Sequence, residues 1–358
     1  MKPEAQTVVL AGGETVPFDY LVVATGAAPR LPKVAGLNVE GVFTLRNVSD
    51  ALRIKGFIQE RRAKRAVAIG AGFISLEMCE AFRALGLETT LIARRGLPMM
   101  RVGGEFAAKI LEELQTNGVT FMPEVKLEAL ERAPSGIVVH TGNGTLEADI
   151  VLIAIGVAPE VKLAAEAGIA LGGSGAIAVN AHQQTNLPFV YAAGDCCETY
   201  HRVSRKPVFI PLGDTANKQG RVAGANIGGQ DVTFPGIVGS QCFKVFGLEV
   251  ASTGLTEDEA RQAGLTPVSA TIQGVSRAHS YPGTKRLWLK LVADTDTGRL
   301  IGAQGIGGEG VVARVNILAA ALAGGLSVEE IAYLDLAYAP PFSGSWDPVH
   351  IAAQQLLK

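Results

Sequence analysis

The sequence predicts an α/β protein in three parts, two built on parallel sheets and a C-terminal one of α+β type. Three observations carry this. Short apolar strands that end in glycine recur, at residues 22–26, 66–70, 152–156 and 190–194, as buried parallel strands do where the chain leaves a sheet. A Gly70-x-Gly72 turn lies between such a strand and a helical stretch. From about residue 236 short alternating strands take over, as in an antiparallel sheet, without any fixed-period repeat.

Composition bounds the rest. A chain of 358 residues holds two or three domains, each able to bury a core. Apolar residues at 48% against 18% charged exclude a disordered chain and a coiled coil. The 43 glycines come without a collagen-like period, so they serve turns and close backbone approach. A net charge of −2 leaves no electrostatic footprint for nucleic acid or an anionic membrane. Cys79, Cys196, Cys197 and Cys242 have neither disulfide-framework nor metal-finger spacing, which suits a reducing compartment. The apolar run at 8–10 is too short for a signal peptide, and the stretch 315–328 is too short for a membrane span. A soluble, cytoplasmic protein is expected.

Along the chain, residues 6–10 and 15–18 form a hairpin around Gly12-Gly13, and 20–24 is a buried strand. A helix is expected over 49–60, capped by Ser49 or Asp50. The basic run 61–65 after it is read as a helix C-terminus rather than an anion site. Strand 66–69, the glycine turn, a helix over 76–85 and strand 87–92 follow, then a helix over 105–117 and strand 119–122. Residues 125–132, 136–140 and 145–147 read as antiparallel strands, the last two joined at Gly142-Asn143-Gly144, and 149–155 as an apolar strand. Together 47–157 make one βαβ-based nucleotide domain. Beyond it, strands are expected at 176–179, 190–193, 245–252, 267–273, 287–293 and 300–305, with helices over 214–227 and 311–323.

The chemistry rests on three constellations. In Gly70-x-Gly72-x-x-Ser75, Gly70 permits a tight turn and Gly72 lets a pyrophosphate approach the helix N-terminus, while small Ser75 packs helix on strand. At the end of the next strand, where an acid would bind the ribose of NAD, the chain has Arg94 and Arg95. Two guanidinium groups suit a 2′-phosphate, so NADP(H) is favoured. The strand ends at Thr25-Gly26 and Gly156 form the second constellation. The third is the run from Thr185 to Gly194-Asp195, whose carboxylate suits the hydroxyls of a polyol.

In this order the stretches FDYLVVATGAAPR, AVAIGAGFISLEMCEAFRALGLETTLIARR, DIVLIAIGVAPE, TNLPFVYAAGDC, PLGDTANKQGRVAGANIGG, SYPGTKRLWLKLV and LDLAYAPPFSGSWDPV resemble the pyridine nucleotide–disulfide oxidoreductases. The nearest group is that of coenzyme A-disulfide reductases, NADH oxidases and persulfide reductases. The resemblance implies two Rossmann-like nucleotide-binding domains and a C-terminal α+β dimerisation domain. An FAD domain spans 1–46 and 158–235, an NAD(P) domain is inserted at 47–157, and 236–358 pairs with a second copy. It implies an FAD-dependent NAD(P)H oxidoreductase acting on a disulfide, a persulfide or oxygen. Thr25, Gly26, Thr185, Gly194 and Asp195 would hold FAD. Gly70, Gly72, Phe73, Ile74, Glu77 and Gly156 would line the nicotinamide nucleotide, with Arg94 and Arg95 at its ribose. Asn217 falls where such proteins contact a thiol substrate. Tyr338 and Tyr281 would reach the partner subunit's active site, or else serve as interface core.

The sequence departs from the family pattern in its first residues. The family's FAD-binding glycine loop and redox cysteine precede the Ala-Thr-Gly strand, and here nothing before Tyr20 matches them. The FAD domain is therefore expected to be incomplete, with an exposed apolar flank. A truncated chain, a second polypeptide supplying the segment, or a loss of flavin chemistry would each account for it. The corresponding alternatives are a non-catalytic nucleotide-binding scaffold and a cysteine-free flavin reductase. Cys79 is expected to be a buried structural thiol and Cys196 to have no redox duty, although adjacency admits a strained vicinal disulfide with Cys197. Trp346 stands where coenzyme A-disulfide reductases can carry a lysine, which disfavours coenzyme A disulfide itself.

Overall fold

The computed structural model describes residues 1–99 and 102–358. They divide into two compact units, Met1–Ala28 with Val157–Gly239 and Pro29–Gly156 with Ser240–Lys358.

The larger unit contains a five-stranded parallel sheet in the order Val42–Phe43, Ile150–Ile153, Arg65–Ile69, Glu88–Ile92 and Val119–Met122. Alternation along the central strand sorts its two faces. Ala66 and Ala68 point to the helices Val48–Arg61, Phe73–Ala84 and Gly104–Thr116, packing with Ile54, Phe82, Leu76 and Ile110. Val67 and Ile69 point to the opposite side, against the antiparallel strands Leu127–Ala133, Gly136–Thr141 and Gly144–Ala148. The small alanines let helices close on one face, while the larger residues fill the other.

Asp149 fastens the start of this layer. Its carboxylate accepts from the backbone N–H groups of Lys64 and Arg65, at 2.8 and 2.9 Å, and from the Arg65 guanidinium at 2.8 Å. Burial opposes the charge, but these donors outweigh it and hold the carboxyl below its ordinary range.

Two local expectations are corrected here. Asn47, not Ser49 or Asp50, caps the first long helix; Asp50 sits at the third position and returns the bond to the cap in a capping box. The helix after the glycine turn starts at Phe73 rather than at residue 76, because Gly72 is itself its N-cap.

Residues beyond 240 form an antiparallel sheet in the order Gln241–Val245, Leu248–Gly254, Leu300–Gly307, Arg286–Asp294 and Pro267–Val275. The expected single strand 245–252 is instead a hairpin, turned at Phe246 in the left-handed region (φ 47°) and Gly247. Phe243, Val245, Val250 and Ile306 share one core with Phe106, Leu114 and Val119 of the parallel-sheet layer. Helices Val311–Gly324 and Pro348–Leu356 lie against this sheet.

In the smaller unit Leu21–Val23 pairs in parallel with Val190–Ala192. A hairpin of Thr7–Val9 and Thr15–Pro17 and a ribbon of Thr199–His201 and Lys206–Val208 accompany them, with the helix Gly213–Ile227. Val23, Ile169, Ile177, Val190, Ala192, Cys196 and Cys197 form its core. Residues 176–179 are not the strand expected: Ile177 makes only isolated bridges to Leu171 and Cys197. Among the described residues, no helix is long and apolar enough to cross a membrane.

Candidate cofactor sites

In the larger unit the glycine turn has the geometry its sequence implies. Gly70 has φ 103°, and a Cβ there would meet the Ala154 carbonyl oxygen at 2.4 Å. Its N–H donates to Ile92 O at 2.9 Å, which ties the turn to the next strand. Gly72 has no neighbour within 4 Å of a would-be Cβ, and the helix it caps has no side-chain cap. Free N–H groups and the helix dipole therefore face an open approach, the arrangement that receives a phosphate. Ser75 is fully buried and its hydroxyl has no partner.

Phe73 and Glu77, exposed and one helical turn apart, share a face of this helix. Burial, and then repulsion from Glu80, raises the Glu77 carboxyl above its ordinary range. Ile74 is half-buried beside them, and Arg94 and Arg95 are exposed directly after Glu88–Ile92. Gly156 is exposed at φ 109°, and its carbonyl accepts from Arg30 N at 2.9 Å. The turn thus brings Gly70, Gly72, Phe73, Ile74 and Glu77 together, with the arginines at the end of the adjacent strand.

In the smaller unit, Thr25 Oγ1 donates to Glu160 O at 2.5 Å and Glu160 N donates to Gly26 O at 2.9 Å. Gly194, at φ 89°, donates its N–H to Gln219 Oε1 at 2.9 Å. A small cavity is lined by Gly194, Asp195, Cys197, Thr199, residues 210–212, Thr215, Ala216 and Gln219. The helix Gly213–Ile227 opens onto it without a side-chain cap, and the buried Thr199 hydroxyl has no partner. Uncapped N–H groups and an orphan hydroxyl beside a carboxylate fit a ligand rich in hydrogen-bond acceptors and hydroxyls, as the polar part of FAD is.

Asn217 is exposed on that helix, one residue past Ala216. Thr185 is spent on its own turn, donating to Val190 O at 2.9 Å and accepting from Leu187 N at 3.1 Å. Thr199 and Gln219 escape the sequence reading. Gln219 lies in the Ala-Asn-Lys-Gln-Gly run already singled out for Asn217, but nothing local says that it turns inward.

Tyr281 and Tyr338 belong to the larger unit. Their loops are joined by a bond from Ala278 N to Pro340 O at 3.0 Å, and both rings are exposed, together with Phe342, Tyr333 and Trp346.

The pyridine nucleotide-disulphide oxidoreductase model matches residues 1–220, and the dimerisation domain of the same proteins matches 240–349. The chain belongs to the pyridine nucleotide-disulphide oxidoreductase family. It is an oxidoreductase with the cofactors of that family, FAD and NAD(P)H, and its dimerisation domain supports a homodimer. It is 39% identical over 339 residues to an NAD(P)H sulfur oxidoreductase (CoA-dependent) of Pyrococcus furiosus, covering 95% of this chain and 76% of the relative. A Pyrococcus horikoshii NAD(P)H coenzyme A polysulfide/persulfide reductase is 39% identical over 349 residues, with 96% and 78% covered. The solved structure of an NAD-dependent persulfide reductase from A. fulgidus superimposes with TM-score 0.95 at 38% identity, covering 99% of this chain and 67% of that one.

Proposed function

We propose that this oxidoreductase passes electrons from NAD(P)H, by way of FAD, to a sulfur acceptor of the persulfide, polysulfide or disulfide class, or to oxygen. The names of the sulfur-reducing relatives support the first group of acceptors. FAD, when bound, supplies two-electron acceptance from the nicotinamide and delivery to the acceptor.

The chain's own residues bind and orient. Residues 47–157 take the dinucleotide, with Gly70 and the N–H groups after Gly72 at its pyrophosphate and Phe73, Ile74, Glu77 and Gly156 along it. The Glu77 carboxyl, raised by burial and then by Glu80, adds a hydrogen-bonding group along it. Residues 1–46 and 158–235 take FAD, bordered by Thr25 and Gly26, with Gly194 and Asp195 at its hydroxyl-bearing part and Thr185 fixing the preceding turn. Asn217 contacts the thiol-bearing substrate. Tyr338 and Tyr281 are presented by 236–358 to a second copy.

The observation that carries the nucleotide assignment is the uncapped, unobstructed N-terminus at Gly72 with two exposed arginines after the next strand. Those arginines set the choice of cofactor. Equilibrium binding of NADPH and NADH, followed by nicotinamide fluorescence, should show NADPH bound about tenfold or more tightly, the worth of one charge-assisted contact. The double variant Arg94→Ala/Arg95→Ala should lose that preference through NADPH alone. An unchanged NADPH/NADH ratio would overturn the assignment.

A further inference from the structure

We propose that Arg314 is a positioning residue for the face that meets a second copy: its guanidinium gathers the two loops that carry Tyr281 and Tyr338. The proposal rests on the reading that these tyrosines face that copy. Arg314 lies on the helix Val311–Gly324 and is 4% exposed. Its Nε donates to Asp347 Oδ1 at 3.2 Å, and its Nη2 lies 2.9 Å from Asp347 Oδ2. Nη2 also donates to Ser276 O at 3.2 Å and to Phe342 O at 3.5 Å, and Nη1 donates to Gly310 O at 3.0 Å.

These contacts fix the ends of the loops. Ser276 closes the base of the first, with Tyr281 in the span beyond it. Its N–H donates to Lys285 O at 2.8 Å and its hydroxyl accepts from Lys285 N at 3.0 Å. The second loop, 334–346, carries Tyr338 and is held near its end by Asp347, which accepts from Ser343 Oγ at 2.7 Å. Its start is held by His350. The Nδ1 of that ring accepts from Asp347 N at 3.1 Å, so Nε2 carries the hydrogen and donates to Leu334 O at 2.8 Å. The bond from Ala278 N to Pro340 O joins the two loops between these anchors. Both tyrosine rings are exposed, so it is the loop ends, rather than packing around the rings, that set where they stand.

The geometry asks for arginine in particular. A lysine ammonium is a point charge that can pair with Asp347, whereas a planar guanidinium sends five donors in fixed directions. Stability alone does not ask for the charge. Burying an ion pair takes both ions out of water, and apolar residues of similar volume often hold a core as well. What this pair supplies is direction, toward Ser276 on one loop and Phe342 on the other.

The test combines sedimentation equilibrium with amide hydrogen exchange on the full chain. Arg314→Lys keeps a paired charge and should weaken the association of two copies about tenfold, the worth of one interface aromatic. Exchange should quicken in 277–285 and 335–346 and stay unchanged in the central strand Leu300–Gly307. Tyr281→Ala/Tyr338→Ala should weaken association by itself. Adding Arg314→Lys to that variant should quicken loop exchange again yet leave association within about twofold, because a residue that acts through the tyrosines has nothing left to act on. Where the lysine variant does not fold, Arg314→Met/Asp347→Asn is measured in its place, since it removes both charges together and retains an N-cap residue. Unchanged association or loop exchange in the arginine variant, or losses that simply add in the combined one, would overturn the proposal. A tyrosine variant that associates like the wild type would overturn the interface reading, and the proposal with it.

Discussion

Two strand-to-glycine junctions, one in each unit, are written in nearly the same letters and buried differently. Residues 66–69 before Gly70 have strands on both sides and layers on both faces, and none is more than 5% exposed. Leu21–Val23 before Thr25-Gly26 pairs with one strand among the described residues; Val23 is 5% exposed, but Val22 is 40% exposed. Both junctions place a positive-φ glycine where the chain leaves the sheet. The turn is thus a local property of the sequence, whereas burial depends on how many neighbours the strand has.

The comparison breaks first at its glycines. Gly70→Ala places a methyl against the Ala154 carbonyl at a φ hostile to side chains, and should cost roughly 2–4 kcal/mol of stability. Gly72→Ala meets no atom within 4 Å, so unfolding should move by under about 1 kcal/mol. Its methyl nevertheless occupies the approach proposed for the pyrophosphate, and NAD(P)H should bind about tenfold more weakly. Urea unfolding and nucleotide titration of the two variants separate these effects. Equal stability losses would show that both glycines are merely structural.

A second pair of substitutions tests burial directly. Val67→Thr puts a hydroxyl into a fully apolar face and should cost about 1–3 kcal/mol. The same change at Val22 should stay within about 0.5 kcal/mol, because that side chain is already exposed. Matching thermal shifts for the two would mean that Val22 is covered in solution, for example by a second copy of the chain.

What was legible follows the same division. The glycine turn, its helix and the arginines after the next strand could be read, because each depends on spacing along one βαβ unit. Asn47 with Asp50 three residues later, and Asp347-Pro348 before the last helix, carried capping signals that went unused, and the helix from Pro348 was missed. Residues 245–252 read as one strand because their apolar run masks the left-handed turn at Phe246. The strand expected at 176–179 failed for a tertiary reason, since Ile177 meets its partners at single bridges. Tertiary packing also decided the cavity: nothing local says that Cys197, Thr199 and Gln219 converge on Gly194.

A stabilising substitution separates two kinds of orphan hydroxyl. Ser75, at the third glycine position, is fully buried in the larger unit, and Thr199 lines the cavity of the smaller one; neither oxygen has a partner. For Ser75 the hydroxyl is simply desolvated. Ser75→Ala removes it and improves helix propensity, so stability should rise by about 1 kcal/mol, with NAD(P)H affinity unchanged because the side chain reaches no surface. Differential scanning calorimetry with and without nucleotide checks both parts. A fall in melting temperature would give the Ser75 hydroxyl a hydrogen-bonding role in the folded protein. A loss of affinity at constant stability would place it in contact with the nucleotide, the role that the cavity position of Thr199 permits and the closed position of Ser75 does not.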